Sequence, residues 1–263
     1  MQIAIEHGKV HNMNTVTLGI LGGLGPMSGI YFCEMLTAHT RAGADQEHID
    51  FLLSSKATTP DRTDYILGRS PSNPAVAMTA EVNKLISAGA DLIAIPCNTA
   101  HYFYDTVAAA SSVPIINIID QTVEFCKSLG ISRVGVLATE GTVSSGAYEN
   151  ALRQAGMEYL TCQTEDQTVI SHIIYDQIKK GLPPDTEAFR LVAERLRQRG
   201  AQALILGCTE LSLLKRECLK DSDYIDSLEV LACAAIRLCG KEPIGFDPAL
   251  MNFQPMKGIY PCC

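Results

Sequence analysis

Short apolar runs alternate along the chain with longer amphipathic stretches. This pattern predicts an α/β fold with parallel strands. Strands are expected at residues 16–21, 49–54, 92–95, 113–118, 133–138, 158–161 and 203–206. Helices are expected at 27–41, 73–90, 99–111, 121–129, 143–156, 167–180, 186–199 and 226–239. Pro74 falls in the first turn of its helix, where a missing N–H costs nothing.

The second half of the chain echoes the first. Gly19-Ile20-Leu21-Gly22-Gly23 is matched by Gly135-Val136-Leu137-Ala138-Thr139, 116 positions on. The stretch 87–99, which ends Ile95-Pro96-Cys97-Asn98-Thr99, is matched by 198–210, which ends Leu206-Gly207-Cys208-Thr209-Glu210, 111 positions on. Two echoes at nearly one offset imply two similar, pseudo-symmetric lobes, each a mostly parallel sheet flanked by helices. Ligands of open α/β sheets sit beyond the carboxyl ends of the strands, so a shared cleft between the lobes is the expected site. The boundaries expected are 1–117 plus 226–263 for the first lobe and 118–225 for the second.

Composition narrows the chemistry. The 263 residues carry 21 Lys and Arg against 29 Asp and Glu, a net charge of −8, with no Trp. Such a chain lacks the cationic footprint and stacking platforms of a nucleic-acid binder. No apolar run approaches the ~20 residues of a membrane span, and the first 15 residues show no signal-peptide core, so a cytoplasmic protein is expected. Of the ten cysteines, none forms a CxxC pair or a zinc-spaced set. Cys33, Cys126, Cys233 and Cys239 read as buried small hydrophobes. There is no HExxH or clustered His/Asp set, so no metal is expected. Gly23-Leu24-Gly25 follows a strand, but Ser28 stands where a dinucleotide fingerprint has its third glycine. That loop is expected to line the cleft instead.

Cys97 and Cys208 differ from the other cysteines in placement. Each follows a strand and precedes a helix start, where unpaired N–H groups and the helix dipole are expected to lower a thiol pKa. Pseudo-symmetry would bring the two thiols to one ligand from opposite sides. One could then take a proton from a carbon while the other delivers one to the opposite face, inverting a stereocentre. Two matched core cysteines, or a redox pair, are the competing readings. His101, one turn beyond Cys97, reads as a structural histidine, with tuning of the thiol as its alternative.

Pro96-Cys97-Asn98-Thr99-Ala100-His101 and Gly207-Cys208-Thr209-Glu210-Leu211 together resemble the paired signatures of the PLP-independent aspartate/glutamate racemase family. The resemblance extends to Gly22-Gly23-Leu24-Gly25-Pro26, Pro60-Asp61-Arg62-Thr63, Thr139-Glu140-Gly141-Thr142 and the stretch from Ile174 to Gly181. It implies a two-base mechanism with Cys97 and Cys208 as the acid/base pair, no cofactor, and a homodimer. With Cys at both positions the chain looks more like the aspartate racemases, whose substrate is a dicarboxylic amino acid. Arg62 and Lys179 fall where those enzymes place cations for the side-chain carboxylate, though Lys180 is adjacent. Asn98, Thr99 and Thr209 are candidates to hold the α-carboxylate, with Thr142 in the same substrate-binding set, and Glu210 to orient the ammonium or cap its helix. Glutamate or broad-specificity racemisation, hydantoin racemisation and maleate isomerisation remain alternatives, as does an inactive carboxylate-binding protein. Ser212 replaces a Pro common among relatives, a change expected to be confined to helix geometry, and the tail 240–263 reads as a surface strap or as disorder.

Overall fold

The computed structural model describes residues 16–219 and 224–256. The first half runs β1 (Leu18–Gly22), α1 (Pro26–Ala38), β2 (Phe51–Ser55), α2 (Arg62–Ile66), α3 (Pro74–Ser87), β3 (Leu92–Ala94), α4 (Tyr104–Ala109) and β4 (Ile115–Ile116). Then follow α5 (Ile118–Ser128), β5 (Arg133–Leu137), α6 (Glu140–Ser144), α7 (Ala147–Gln154), β6 (Glu158–Thr161) and α8 (Thr164–His172). The chain closes with α9 (Thr186–Gln198), β7 (Ala203–Leu206), α10 (Thr209–Cys218), β8 (Tyr224–Asp226), α11 (Ser227–Leu238) and α12 (Pro248–Asn252). No helix among the described residues is long and apolar enough to cross a membrane.

The strands form two four-stranded parallel sheets of the same order, β2-β1-β3-β4 and β6-β5-β7-β8. In the first, Leu18 aligns with Phe51 and Leu92; in the second, Val134 aligns with Tyr159 and Ala203. The sequence echo has a packing cause. A Cβ on Gly19 would lie 2.6 Å from Ile93 Cδ1 and 2.8 Å from Ala90 Cβ. One on Gly135 would lie 2.5 Å from Leu204 Cδ2 and 3.3 Å from Ala201 Cβ. Each central strand therefore keeps a glycine where its neighbour inserts a side chain.

One apolar cluster continues from the first sheet to the second through α1, α5, α7 and α11, joining Leu18 and Phe32 to Val134 and Tyr148. Two further clusters lie on the other faces: β1 and β3 against α3, and β5 and β7 against α8 and α9. Helix α11 packs on both α5 and α1, so the last long helix covers the first. Thr40 bridges Pro243, the Phe253 ring meets Phe125 edge-on at 5.4 Å, and Gln121 exchanges two 3.0 Å hydrogen bonds with the Met256 backbone. The described part of the tail is thus an ordered strap; Cys262 and Cys263, and the segment before residue 16, lie outside the described residues.

Several elements depart from the sequence reading for local reasons. The strand expected over 113–118 shrinks to two residues: Pro114 has no N–H to pair, and Asn117 caps α5 by accepting from Ile119 and Asp120. The helix expected at 99–111 opens as a tight 3-10 turn before α4. The helix over 143–156 is broken at Gly146, which takes φ +68°. The helix over 167–180 passes into a π-turn at Ile173–Gln177 and a 3-10 turn at Ile178–Lys180. Arg62 opens a short helix, capped by Asp61, that the sequence reading did not include. Cys126, Cys233 and Cys239 are buried as expected, but Cys33 is only partly so.

The two halves pack tightly where α6 meets α2: a Cβ on Gly141 would sit 2.6 Å from Thr63 Oγ1 and 2.9 Å from Thr63 Cα. Because the obstacle includes backbone, Gly141→Ala should cost about 1–3 kcal/mol of stability, read as a lower denaturation midpoint in urea.

Candidate active site

Both cysteines sit just past strand ends. Beyond β3 the chain turns tightly, the Cys97 N–H donating to the Ile95 carbonyl at 2.8 Å; beyond β7, Cys208 is the residue that caps α10. The two strand ends contribute to a single narrow pocket, bordered by Cys97, Asn98 and Thr99 from one half and Cys208, Thr209 and Glu210 from the other. Arg62 and Lys179 border it as well. Of the residues expected at the site, Thr142 alone does not; its hydroxyl stands behind Thr99. Lys179 rather than Lys180 borders the pocket, since Lys180 pairs with Asp176 at 2.8 Å.

The thiols are less acidic than their helix-start positions suggested. Burial pushes both Cys97 and Cys208 above the ordinary thiol value. At Cys97 the Arg62 charge and the Ala100 N–H oppose that rise only in part. At Cys208 the Glu210 carboxylate adds to it, and the sulfur donates to Glu210 Oε2 at 3.0 Å. Each cysteine is at most 6% exposed, so loss of hydration outweighs the N–H groups. The step after Cys97 is also a 3-10 turn rather than an α-helix, which weakens the expected dipole.

The cations are held differently. Arg62 is buried, and its guanidinium donates to the carbonyls of Pro60 (2.9 Å), Leu24 (2.9 Å) and Thr59 (3.2 Å). Its Nε is buried without a partner, and no carboxylate among the described residues pairs with it. A buried guanidinium neutralised only by carbonyl dipoles is a standing demand for an anion. Lys179 lies 4.6 Å over the Tyr175 ring and 3.7 Å from Glu210 Oε1. Burial works against its charge, but Glu210, both cysteines and Tyr175 outweigh that and raise its pKa.

The two-sheet scaffold is also found among known proteins. Residues 21–235 match the family described as Asp/Glu/Hydantoin racemase. The chain belongs to that family. An aspartate racemase of Picrophilus torridus is similar in structure, with a TM-score of 0.77 and 32% identity over 87% of this chain and 96% of that one. A putative Asp/Glu racemase from Yersinia pestis gives 0.73 and 27%, over 85% and 99%. In sequence, the broad specificity amino-acid racemase RacX of Bacillus subtilis is 28% identical over 223 residues, 83% of this chain and 96% of its own length.

Around this racemase-family pocket the polar side chains mostly tie the halves together. Thr99, Thr139 and Thr142 form a triangle of hydroxyls with edges of 2.8–3.0 Å. Asn98 accepts from Tyr148 at 2.8 Å and donates to Ser227 at 2.9 Å, leaving one amide hydrogen free of these bonds. Thr209 donates to the Pro96 carbonyl at 3.3 Å. Tyr175, on the π-turn, donates to Thr63 at 2.7 Å. Leu24 borders the pocket from the loop expected to line the cleft; Tyr175, Thr63, Asp61 and Thr139 complete the wall and were not singled out from sequence. Each lies inside a segment that carries the family resemblance, the one signal that pointed to them. Ser212 does more than shape its helix, for it donates to Asp226 at 2.7 Å and ties α10 to the end of β8.

His101 is structural. The Ile118 N–H donates to its Nε2 at 3.2 Å, so the hydrogen is on Nδ1, which reaches the Cys97 carbonyl at 2.8 Å. The ring thereby pins the turn bearing Cys97 to the start of α5. Burial lowers its pKa from 6.5 to about 4. A histidine held neutral in the fold contributes stability above its unfolded pKa and loses it as pH falls through the folded one. Stability should therefore drop between about pH 6.5 and 4, by about 3 kcal/mol from this group. His101→Gln should flatten that part of the stability–pH curve in urea titrations.

Proposed function

We propose that this protein is a cofactor-independent racemase that interconverts L- and D-aspartate by two-base proton transfer at Cα. The observation that carries the reading is that Cys97 and Cys208, from matched strand ends of the two halves, border one small pocket together with two cations, the buried Arg62 and the more exposed Lys179. One cysteine enters as thiolate and takes the Cα proton; the other, as thiol, protonates the opposite face.

The charges of the pocket complement this substrate. Arg62 and Lys179 answer its carboxylates, and Glu210 its ammonium. A bidentate guanidinium suits a planar carboxylate, and the free Nε of Arg62 leaves it a donor to spend. The α-carboxylate is assigned to the N–H groups opening α10, with Thr209 beside them. Because an amino-acid Cα–H is very weakly acidic, these preorganised donors must stabilise the carbanionic charge as it develops. No step in this reading draws on a cofactor or a metal. A cytoplasmic homodimer accompanies it, by family resemblance and because twofold dimers are the commonest assembly. The alternatives of glutamate, hydantoin or maleate as substrate are separated by assaying each in parallel.

Cys97→Ser and Cys208→Ser should each abolish racemisation followed by circular dichroism, and the wild-type protein should wash deuterium into Cα of aspartate in heavy water. A carboxylate-binding protein on this scaffold would exchange none. Arg62→Ala should lower kcat/KM for aspartate about 100-fold or more while affecting alanine much less. Since both thiols are raised by burial, kcat/KM should still be climbing as pH passes about 8.5, the ordinary thiol value.

A further inference from the structure

We infer that Glu210 sets the resting proton inventory of the pocket, keeping the proton on Cys208 and leaving Cys97 as the thiol that ionises. The inference rests on the racemase reading for its consequence, but its geometry stands on the free protein. It assigns a direction to the site: the substrate-free enzyme is ready for the enantiomer whose Cα–H faces Cys97.

The internal repeat breaks at the position that matters. In register, Cys97 corresponds to Cys208, Asn98 to Thr209, and Thr99 to Glu210. The residue two places after the cysteine is therefore a neutral hydroxyl on one side and a carboxylate on the other. The Thr99 hydroxyl is engaged by Thr139 and Thr142 at 3.0 and 2.8 Å. Glu210 instead accepts from Cys208 Sγ at 3.0 Å. A carboxylate has no hydrogen to give, so this bond exists only while Cys208 keeps its own. Ionising Cys208 would break it and set two negative groups side by side where little water screens them, since both residues are at most 6% exposed.

Cys97 has the opposite surroundings. No oxygen among the described residues accepts a hydrogen bond from it, and the Ala100 N–H favours the ionised form of its sulfur. The charges facing it are Arg62 from α2, Lys179 from the 3-10 turn after the π-turn, and Glu210 from α10. Those facing Cys208 are Glu210 and Lys179, with the Tyr175 hydroxyl nearby. Arg62, the cation held by carbonyls alone, is thus the leading charge on the Cys97 side, and Glu210 on the Cys208 side. Lys179, 3.7 Å from Oε1, anchors the far oxygen of Glu210 while Oε2 takes the thiol.

The proton count closes. The Cys97 thiolate takes the Cα proton and becomes a thiol; Cys208 gives its proton to the other face of the carbanion and becomes a thiolate beside Glu210. After product leaves, one proton passes from Cys97 to Cys208 through water and restores the starting form. Glu210 favours that return and is a positioning residue for it.

The test is alkylation of the substrate-free, full-length protein by iodoacetamide across pH, with each cysteine followed by peptide mass spectrometry. The pH midpoint of each thiol's rate is compared, so unequal access to the reagent drops out. Cys97 should show the lower midpoint, by at least one pH unit. Glu210→Gln should bring the Cys208 midpoint down and narrow the gap, with Cys97 moving less. Lys179→Met, which leaves the carboxylate uncompensated, should raise the Cys208 midpoint and widen it, and it decides the matter should Glu210→Gln not fold. A lower midpoint at Cys208, or a gap that neither variant changes, overturns the assignment. A protein with the expected order that exchanges no Cα hydrogen keeps the assignment and loses the racemase reading. One that racemises aspartate with equal midpoints does the reverse.

Discussion

Two parallel sheets whose carboxyl ends share one pocket leave little space for water, and several polar groups in the gap are satisfied from the other side. That constraint organises the centre of the molecule. The hydroxyl triangle of Thr99, Thr139 and Thr142, the Asn98 amide between Tyr148 and Ser227, and Thr209 on the Pro96 carbonyl all cross it. Such bonds net about 0.5–1.5 kcal/mol each, but leaving a partner unpaired costs more. The crossing bonds thus hold the two cysteine turns in a fixed relation while the thiols themselves stay available for chemistry.

The same dryness decides the electrostatics. Helix starts and backbone N–H groups favour thiolates, yet burial outweighs them at both cysteines. What remains is a difference between the sides, because one thiol answers chiefly to Arg62 and the other to Glu210. A fold that is nearly twofold in its backbone therefore encloses a pocket that is not twofold in its charge. For a reaction that must run both ways across a stereocentre, that inequality governs which free form of the protein predominates.

Much of this architecture was legible in the sequence because it arises from repeated local pattern. The two echoes mark the two central strands and the turns after β3 and β7, and Gly19 and Gly135 recur because each faces an inserted neighbour. What was not legible depends on tertiary partners or on very short elements. The strand β8 has three residues, and α2 and α6 have five each, too short for periodicity to register. The π-turn that carries Tyr175 reads as ordinary helix in sequence. The acidity of Cys97 was misjudged because the N–H groups are visible in the local pattern and the surrounding burial is not. Asn98 and Thr99, expected as substrate ligands, border the pocket, and the bonds their side chains also make across the gap depend on partners distant in sequence.

The packing of α11 on α1 bears on how the polypeptide matures during synthesis. All four strands of the first sheet are translated by Ile116, but the helix that covers α1 and its share of the central apolar cluster begins only at Ser227. A nascent chain must therefore carry an exposed oily surface through more than a hundred further residues. The outer cluster of each half can close in the order of synthesis, the first by Ile115 and the second by Tyr224, while the apolar face that joins the two sheets waits for the last long helix.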